Sequence, residues 1–348
     1  MSRNIKVIIL FVVFNLICFT NTSGFAQDHY HLLKKTVIGG EGGWDYLSLD
    51  VARGHLFIAH NSQMEVYDIN KDSVVTSIKN TEGVHGIAIA SAEQHGFISC
   101  GKSNSVLMID LNTLDTLKRV TVGSKPDAII YDPASKHVFV MNGKSNDISV
   151  LDAVTGALEK TIKLSGAPEF AVSDQQGHIY VNLEDKNTVV KIDSKKNRFL
   201  ATWPLSPGEG PTGIAIDLHS ETLFSVCANG KLITVSTKNG KIKDVVPIGK
   251  GADAVVFDSA TGKVIASCGD GTATVVTAGS DDWINASVSE TIQTALGART
   301  IALDPHTHNL FFDSAEFGQA PAPTQDKPHP RGAVIPGTFM VLKYGLAK

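Results

Sequence analysis

Helical periodicity is missing from this 348-residue chain. After residue 30 no long stretch repeats apolar residues at helical spacing, which excludes an architecture built on amphipathic helices. Aromatic residues amount to 7%, while β-branched residues are abundant, the balance expected of thin sheets packed face to face. Cysteine is scarce. Of four, Cys18 falls in the N-terminal apolar run, leaving Cys100, Cys227 and Cys268. An odd number excludes a fully paired disulfide framework. The three occupy equivalent strand ends, too far apart to bridge, and are read as buried small apolar residues.

Basic charge is also in short supply. Arg3 and Lys6 precede an apolar run from Val7 to Phe19, and Gly24 and Ala26 are small where a signal peptidase reads. Residues 1–26 are therefore expected to be a signal peptide cut after Ala26, giving a periplasmic or secreted product. The remainder carries 29 Lys and Arg against 35 Asp and Glu, a net charge of about −6, and no concentrated basic stripe. That balance argues against a nucleic-acid partner. No later segment is long and apolar enough to span a bilayer as a helix.

What the chain does have is repetition. Pro126 to Gly166 contains four short β-branched or aromatic runs separated by Asp132-Pro133, Asn142-Gly143 and Thr155-Gly156 turns, the pattern of an antiparallel meander. Aligning the residue that opens each first strand gives Asp45, His85, Asp127, Glu169, Thr212, Asp253 and Arg299, at spacings of 40, 42, 42, 43, 41 and 46 residues. Seven units near this period predict an all-β fold, a seven-bladed β-propeller of four-stranded antiparallel blades spanning residues 27–348. Leu33 to Val37 reads as a fourth strand placed before the first complete unit, while the last unit lacks one. Pairing the N-terminal strand into the last blade closes the ring and removes exposed edges.

Val138-Phe139-Val140-Met141-Asn142 and Ile179-Tyr180-Val181-Asn182, with Ser145 to Gly156 following the first, resemble the YVTN signature. The chain after residue 26 is similar to YncE-like proteins of the YVTN β-propeller superfamily. The resemblance implies a seven-bladed, commonly exported propeller and no single activity.

In such a fold the seven opening residues ring one mouth of the central channel. Asp45, His85, Asp127, Glu169, Asp253 and Arg299 are candidate ligand contacts there, joined by His60 and Asn142 at second-strand ends. Asp127, Glu169 and Asp253 are candidate ligands for Ca²⁺ or another divalent cation, and His85 with Glu169 are candidates for acid or base work. Capping of backbone groups is the structural alternative for the whole ring. His55, His95, His137 and His178 repeat at the opposite ends of the strands and read as turn residues. Asp68, Asp110, Asp152 and Asp193 read as Asx-type turn caps. Glu316 to Gly337 is a proline-rich connection too long for a hairpin, a candidate lid carrying Lys327, His329 and Arg331. The insertion around Asp281, Asp282 and Trp283 reads as a lengthened outer turn.

The function expected is a non-enzymatic binding or interaction scaffold. It would be monomeric, with a small ligand, glycan or protein held at the mouth beneath the proline-rich loop. The alternative is a metal-dependent lactonase-like hydrolase, although neither a GxSxG elbow nor an HExxH helix occurs. No cofactor is expected beyond that open cation. The chain lacks CxxCH, and Ala157-Leu158 after the Thr155-Gly156 turn replaces the tryptophan of quinoprotein propellers, which argues against haem or quinone chemistry.

Overall fold

The computed structural model describes residues 29–279, 282–322 and 330–347. The N-terminal segment read as a signal, and Asp281, Lys327 and His329, lie outside the described residues. Seven four-stranded antiparallel sheets form a ring, and the only helices among the described residues are two single 3₁₀ turns. No helix among them is long and apolar enough to cross a membrane. Blades 1 to 6 occupy 44–78, 84–121, 126–163, 168–204, 211–247 and 252–293. Blade 7 takes Ile301–Leu303, Leu310–Ser314 and Met340–Leu346 from one end of the chain and Tyr30–Val37 from the other. The closure runs antiparallel from Tyr30 opposite Leu346 to Val37 opposite Met340, as the strand count requires.

Burial explains why the strands read as they do. In each blade the second strand is sandwiched by neighbouring blades on both faces, so it is a continuous apolar run such as Val138-Phe139-Val140-Met141, fully buried. Burying each such side chain is worth about 1.5–3 kcal/mol. The outermost strands face solvent and carry charge, as in Leu158–Lys163, where Ile162 alone turns inward. Outer lysines at these positions oppose edge-to-edge pairing. The turns follow their chemistry. Asp152 Oδ1 accepts from the backbone N–H groups of Val154 and Thr155 and from the Thr155 hydroxyl, ahead of Gly156 in the left-handed region. Asp68, Asp110 and Asp193 cap their turns alike. His55, His95 and His137 lie edge-on to Phe57, Phe97 and Phe139 two residues along, a packing role. Cys100, Cys227 and Cys268 are buried and unpaired.

The insertion of blade 6 does more than lengthen a turn. Trp283 is buried, donates its indole N–H to Asp217 of blade 5 at 3.0 Å, and packs on Phe224 and Phe257. It is a wedge between blades 5 and 6.

Candidate binding site at the channel mouth

The inner strand of each of the first six blades departs from regular pairing at one place. The register slips between Trp44 and Leu47, Val84 and Ile87, Pro126 and Ile129, Pro168 and Ala171, Pro211 and Ile214, and Ala252 and Ala254. Asp45, His85, Asp127, Glu169, Thr212 and Asp253 each fall inside one of these irregularities. A bulge bends its strand and re-aims a side chain, and six in a circle aim six side chains at the axis. In blade 7 the inner strand begins only at Ile301, so Arg299 stands just outside the sheet.

These residues form a chain of contacts. Lys125 Nζ lies 3.3 Å from Asp127 Oδ2, whose other oxygen is 3.2 Å from His85 Nδ1. The same His85 nitrogen is 2.6 Å from Asp45 Oδ2. Arg299 reaches Asp45 at 4.0 Å and Asp253 at 2.9 Å, and donates to the Trp44 carbonyl. Glu169 accepts from the Tyr46 hydroxyl at 3.3 Å. Thr212 is the neutral member, donating to the Ala252 carbonyl at 2.9 Å. Below the ring Tyr46 packs on Phe170 with centroids 4.9 Å apart. The shaft beyond is apolar, a cavity of about 380 Å³ lined by residues such as Leu47, Ile214, Val255 and Ile301. The ring is therefore a polar mouth on an apolar shaft.

Low solvation sets its protonation. Burial raises Glu169 to about 8, with Asp127 and Glu184 adding repulsion. Burial also lifts Asp253 to about 6 against the pull of Arg299. Asp127 is raised by burial, with His85 opposing. Burial disfavours a charge on His85, but its bond to Asp45 and the nearby Asp127 outweigh this and raise its pKa. Asp313, buried beneath Arg299, accepts from the Thr300 hydroxyl through one oxygen, while its other oxygen has no partner among the described residues; burial lifts it well above the carboxylate range.

Two second-strand candidates do not join the ring. The amide of Asn142 is buried in its own blade, donating to Asp147 at 2.8 Å and Ser149 at 2.9 Å. His60 is buried as a stacking partner of Phe339, 4.0 Å between ring centroids, with Glu65 3.6 Å away. Glu169 does not touch His85 either; Asp45 and Asp127 are the acids on that imidazole. Among the described residues the compact set of possible metal donors is likewise Asp45, His85 and Asp127, whose ligand atoms lie within 4.8 Å of one another, rather than Asp127, Glu169 and Asp253.

Lys125 is a residue the sequence reading missed, and it left a signal. Two positions before the ring residue, Gly83, Gly210, Gly251 and Gly297 take φ of +67°, +59°, +64° and +83°. Lys125 holds the same place at +54°. A side chain in that region costs about 1–2 kcal/mol, so a lysine among glycines marks a position where the side chain matters.

The two described ends of the proline-rich connection, 316–322 and 330–337, come together at one side of the mouth. Phe317 and Val334 form a bridge, flanked by hydrogen bonds from Gly318 N–H to Ala333 and from Ile335 N–H to Glu316. Phe317 rests against Trp44, 6.0 Å between centroids, and Arg331 lies over Phe317 while donating to the Gly269 carbonyl of blade 6 at 3.0 Å. Beneath lies a cleft of about 880 Å³ whose walls include Trp44, Asp253, Arg299, Leu296, Phe317 and Arg331.

Fold and mouth together define a seven-bladed β-propeller with an ionisable ring under a loop. Neither a protein-family model nor a curated protein sequence matches the chain. Among solved structures it is similar to Kuenenia stuttgartiensis hydrazine synthase, with TM-score 0.69 and 15% identity over 78% of this chain and 92% of that one. At that identity the likeness is one of fold.

Proposed function

We propose that this chain is an exported, non-enzymatic propeller of the YVTN type that binds a small ligand at the channel mouth, between the ring and the proline-rich loop. One observation carries the reading: the described ends of the loop leave blade 7, are fastened to blade 6 through Arg331, and form one wall of a cleft of ligand size whose other wall includes ring residues Asp253 and Arg299. Concave sites of this volume with few convergent polar groups are the usual form of small-ligand sites. The rigid ring supplies preorganisation, because bulged inner strands hold Asp45, His85, Asp127 and Asp253 in fixed ion pairs before any ligand arrives. A thermal-shift screen of charged and neutral small molecules tests it. Hits should vanish in the Asp127→Asn, Glu169→Gln, Arg299→Gln triple variant, and hits that persist there would place binding elsewhere.

A second reading rests on the Asp45, His85 and Asp127 set, a metal-dependent, lactonase-like hydrolase. The donors suit a divalent cation in type and spacing. Lys125 and Arg299 already sit beside Asp127 and Asp45, so a cation must compete with both. Calorimetric titration with Ca²⁺, Mn²⁺ and Zn²⁺ and assay of a lactone panel separate this reading from the first. Tight binding and turnover lost in His85→Ala would favour the hydrolase.

A further inference from the structure

The covered cleft has a charge imbalance that narrows what it can bind. Of its two carboxylates, Asp253 pairs with Arg299, while Asp270 is held by neutral donors, the Lys250 backbone N–H at 2.7 Å and the Thr272 hydroxyl and N–H. Against these two acids stand three cations, Arg299, Lys250 and Arg331. Lys250 and Arg331 both line the cleft, and neither forms an ion pair with a carboxylate among the described residues. Lys250 is exposed. Arg331 commits one N–H to the Gly269 carbonyl and one face to the Phe317 ring, and its other donors have no partner among the described residues.

The seat of Arg331 is shaped by glycine. A Cβ on Gly269 would come 3.3 Å from an Arg331 terminal nitrogen, and one on Gly297 would come 3.0 Å from Phe317 and 3.3 Å from Arg331. Gly297 also holds φ +83°. Two backbone positions thus leave room for the guanidinium and the ring to lie against blades 6 and 7. The rest of the lining is apolar or small, with Trp44, Phe317, Leu296 and Val334 on the walls and Gly251, Ala252 and Ala228 nearby.

Resting on the reading that the mouth binds a small ligand, we propose that the covered cleft takes an amphiphilic organic anion. Its carboxylate sits between Lys250 and Arg331, and its apolar body lies on Trp44 and Phe317. Guanidinium and carboxylate match in a planar, charge-assisted geometry, and the apolar walls desolvate and strengthen that pair. A cationic ligand would add to the net positive charge of the lining, three cations against Asp253 and Asp270.

The probes are 4-phenylbutyrate, 4-phenylbutanol and 4-phenylbutylamine, titrated calorimetrically into the full mature chain. The carboxylate should bind at least tenfold more tightly than the alcohol, and the amine not measurably. Lys250→Gln and Arg331→Gln should each weaken the carboxylate by roughly tenfold, the loss of one charge-assisted contact. Lys250→Gln is the cleaner variant, since the Lys250 ammonium holds no partner among the described residues and cannot act by unfastening the loop. Equal binding of carboxylate and alcohol, or an unchanged affinity in Lys250→Gln, overturns the proposal. Binding of the amine that is lost in Glu169→Gln overturns the ligand class yet keeps the mouth as a site. No binding of any probe, with hits from a wider screen mapping outside the mouth, overturns both.

Discussion

The two sides of the mouth are built from the same repeat and differ in kind. On the side of blades 2 to 4, His85, Lys125, Asp127, Glu169 and Glu184 form a largely acidic arc, crowded enough that burial and mutual repulsion hold Glu169 up to about 8. On the side of blades 5 to 7, Thr212 breaks the acidic run, Asp253 is neutralised by Arg299, and the loop brings Arg331 and Phe317 over a mostly apolar cleft. The difference comes from departures from the repeat: a lysine in a glycine place, a threonine in a carboxylate place, and a long connection where other blades have a tight hairpin. The repeat makes the scaffold, and its exceptions make the site.

The largest effect separating the two sides should come from the ring closure. Tyr30–Val37 is the outer strand of blade 7, the blade that carries the loop. Deleting it exposes the edge of Met340–Leu346 and should lower the thermal midpoint by more than about 10 °C, since the whole closing ladder and the buried Tyr30 ring are lost, at about 2–4 °C per kcal/mol. An unchanged midpoint would mean that the covered side does not depend on closure. Next, Phe317→Ala removes the contact with Trp44 and the platform under Arg331. Proteolysis of the loop should then speed up several-fold while the acidic arc, read by the His85 imidazole NMR signals, stays unaltered.

A smaller effect sharpens the acidic arc. Glu169 is protonated in the folded chain up to about pH 8, whereas in the unfolded chain it ionises near pH 4.3. Between those values the unfolded state binds fewer protons, so this group lowers stability as pH rises and its penalty is complete above pH 8. Glu169→Gln should raise the midpoint by roughly 2–4 °C at pH 8.5, and the gain should vanish below pH 4. A gain that is independent of pH would show that the ring does not act through this proton. The smallest effect belongs to Lys125→Gly. Relief of the left-handed backbone offsets the lost ion pair with Asp127, so stability should move by less than about 1 kcal/mol, while the NMR titration of Asp127 shifts upward.

Much of this was legible in the sequence, and the limits are physical. Period and turn chemistry carry the blade count and the closing strand, because short apolar runs and the Asp-Pro, Asn-Gly and Thr-Gly turns between them are local. The ring was legible for a related reason: residues at one position of a repeat must share one radius and height. Asn142 and His60 were misplaced because the end of a second strand can turn its side chain inward as readily as outward. Asn142 is drawn in by Asp147 and Ser149, His60 by Phe339. The pairing of His85 with Asp45, and the wedge made by Trp283, depend on distances between blades that spacing along the chain does not encode. Lys125 was readable as a lysine in a glycine column, a contrast between units where attention to the ring residues alone misses it.

The central claim is that the covered side of the mouth is where this protein holds its ligand. A crystal structure of the protein purified from its native host tests it most directly. The account expects density for a small molecule in the cleft beside Trp44 and Phe317, with a polar end toward Lys250 and Arg331. A cleft holding only solvent, with a bound molecule at the far end of the shaft or on the outer strands, would contradict it.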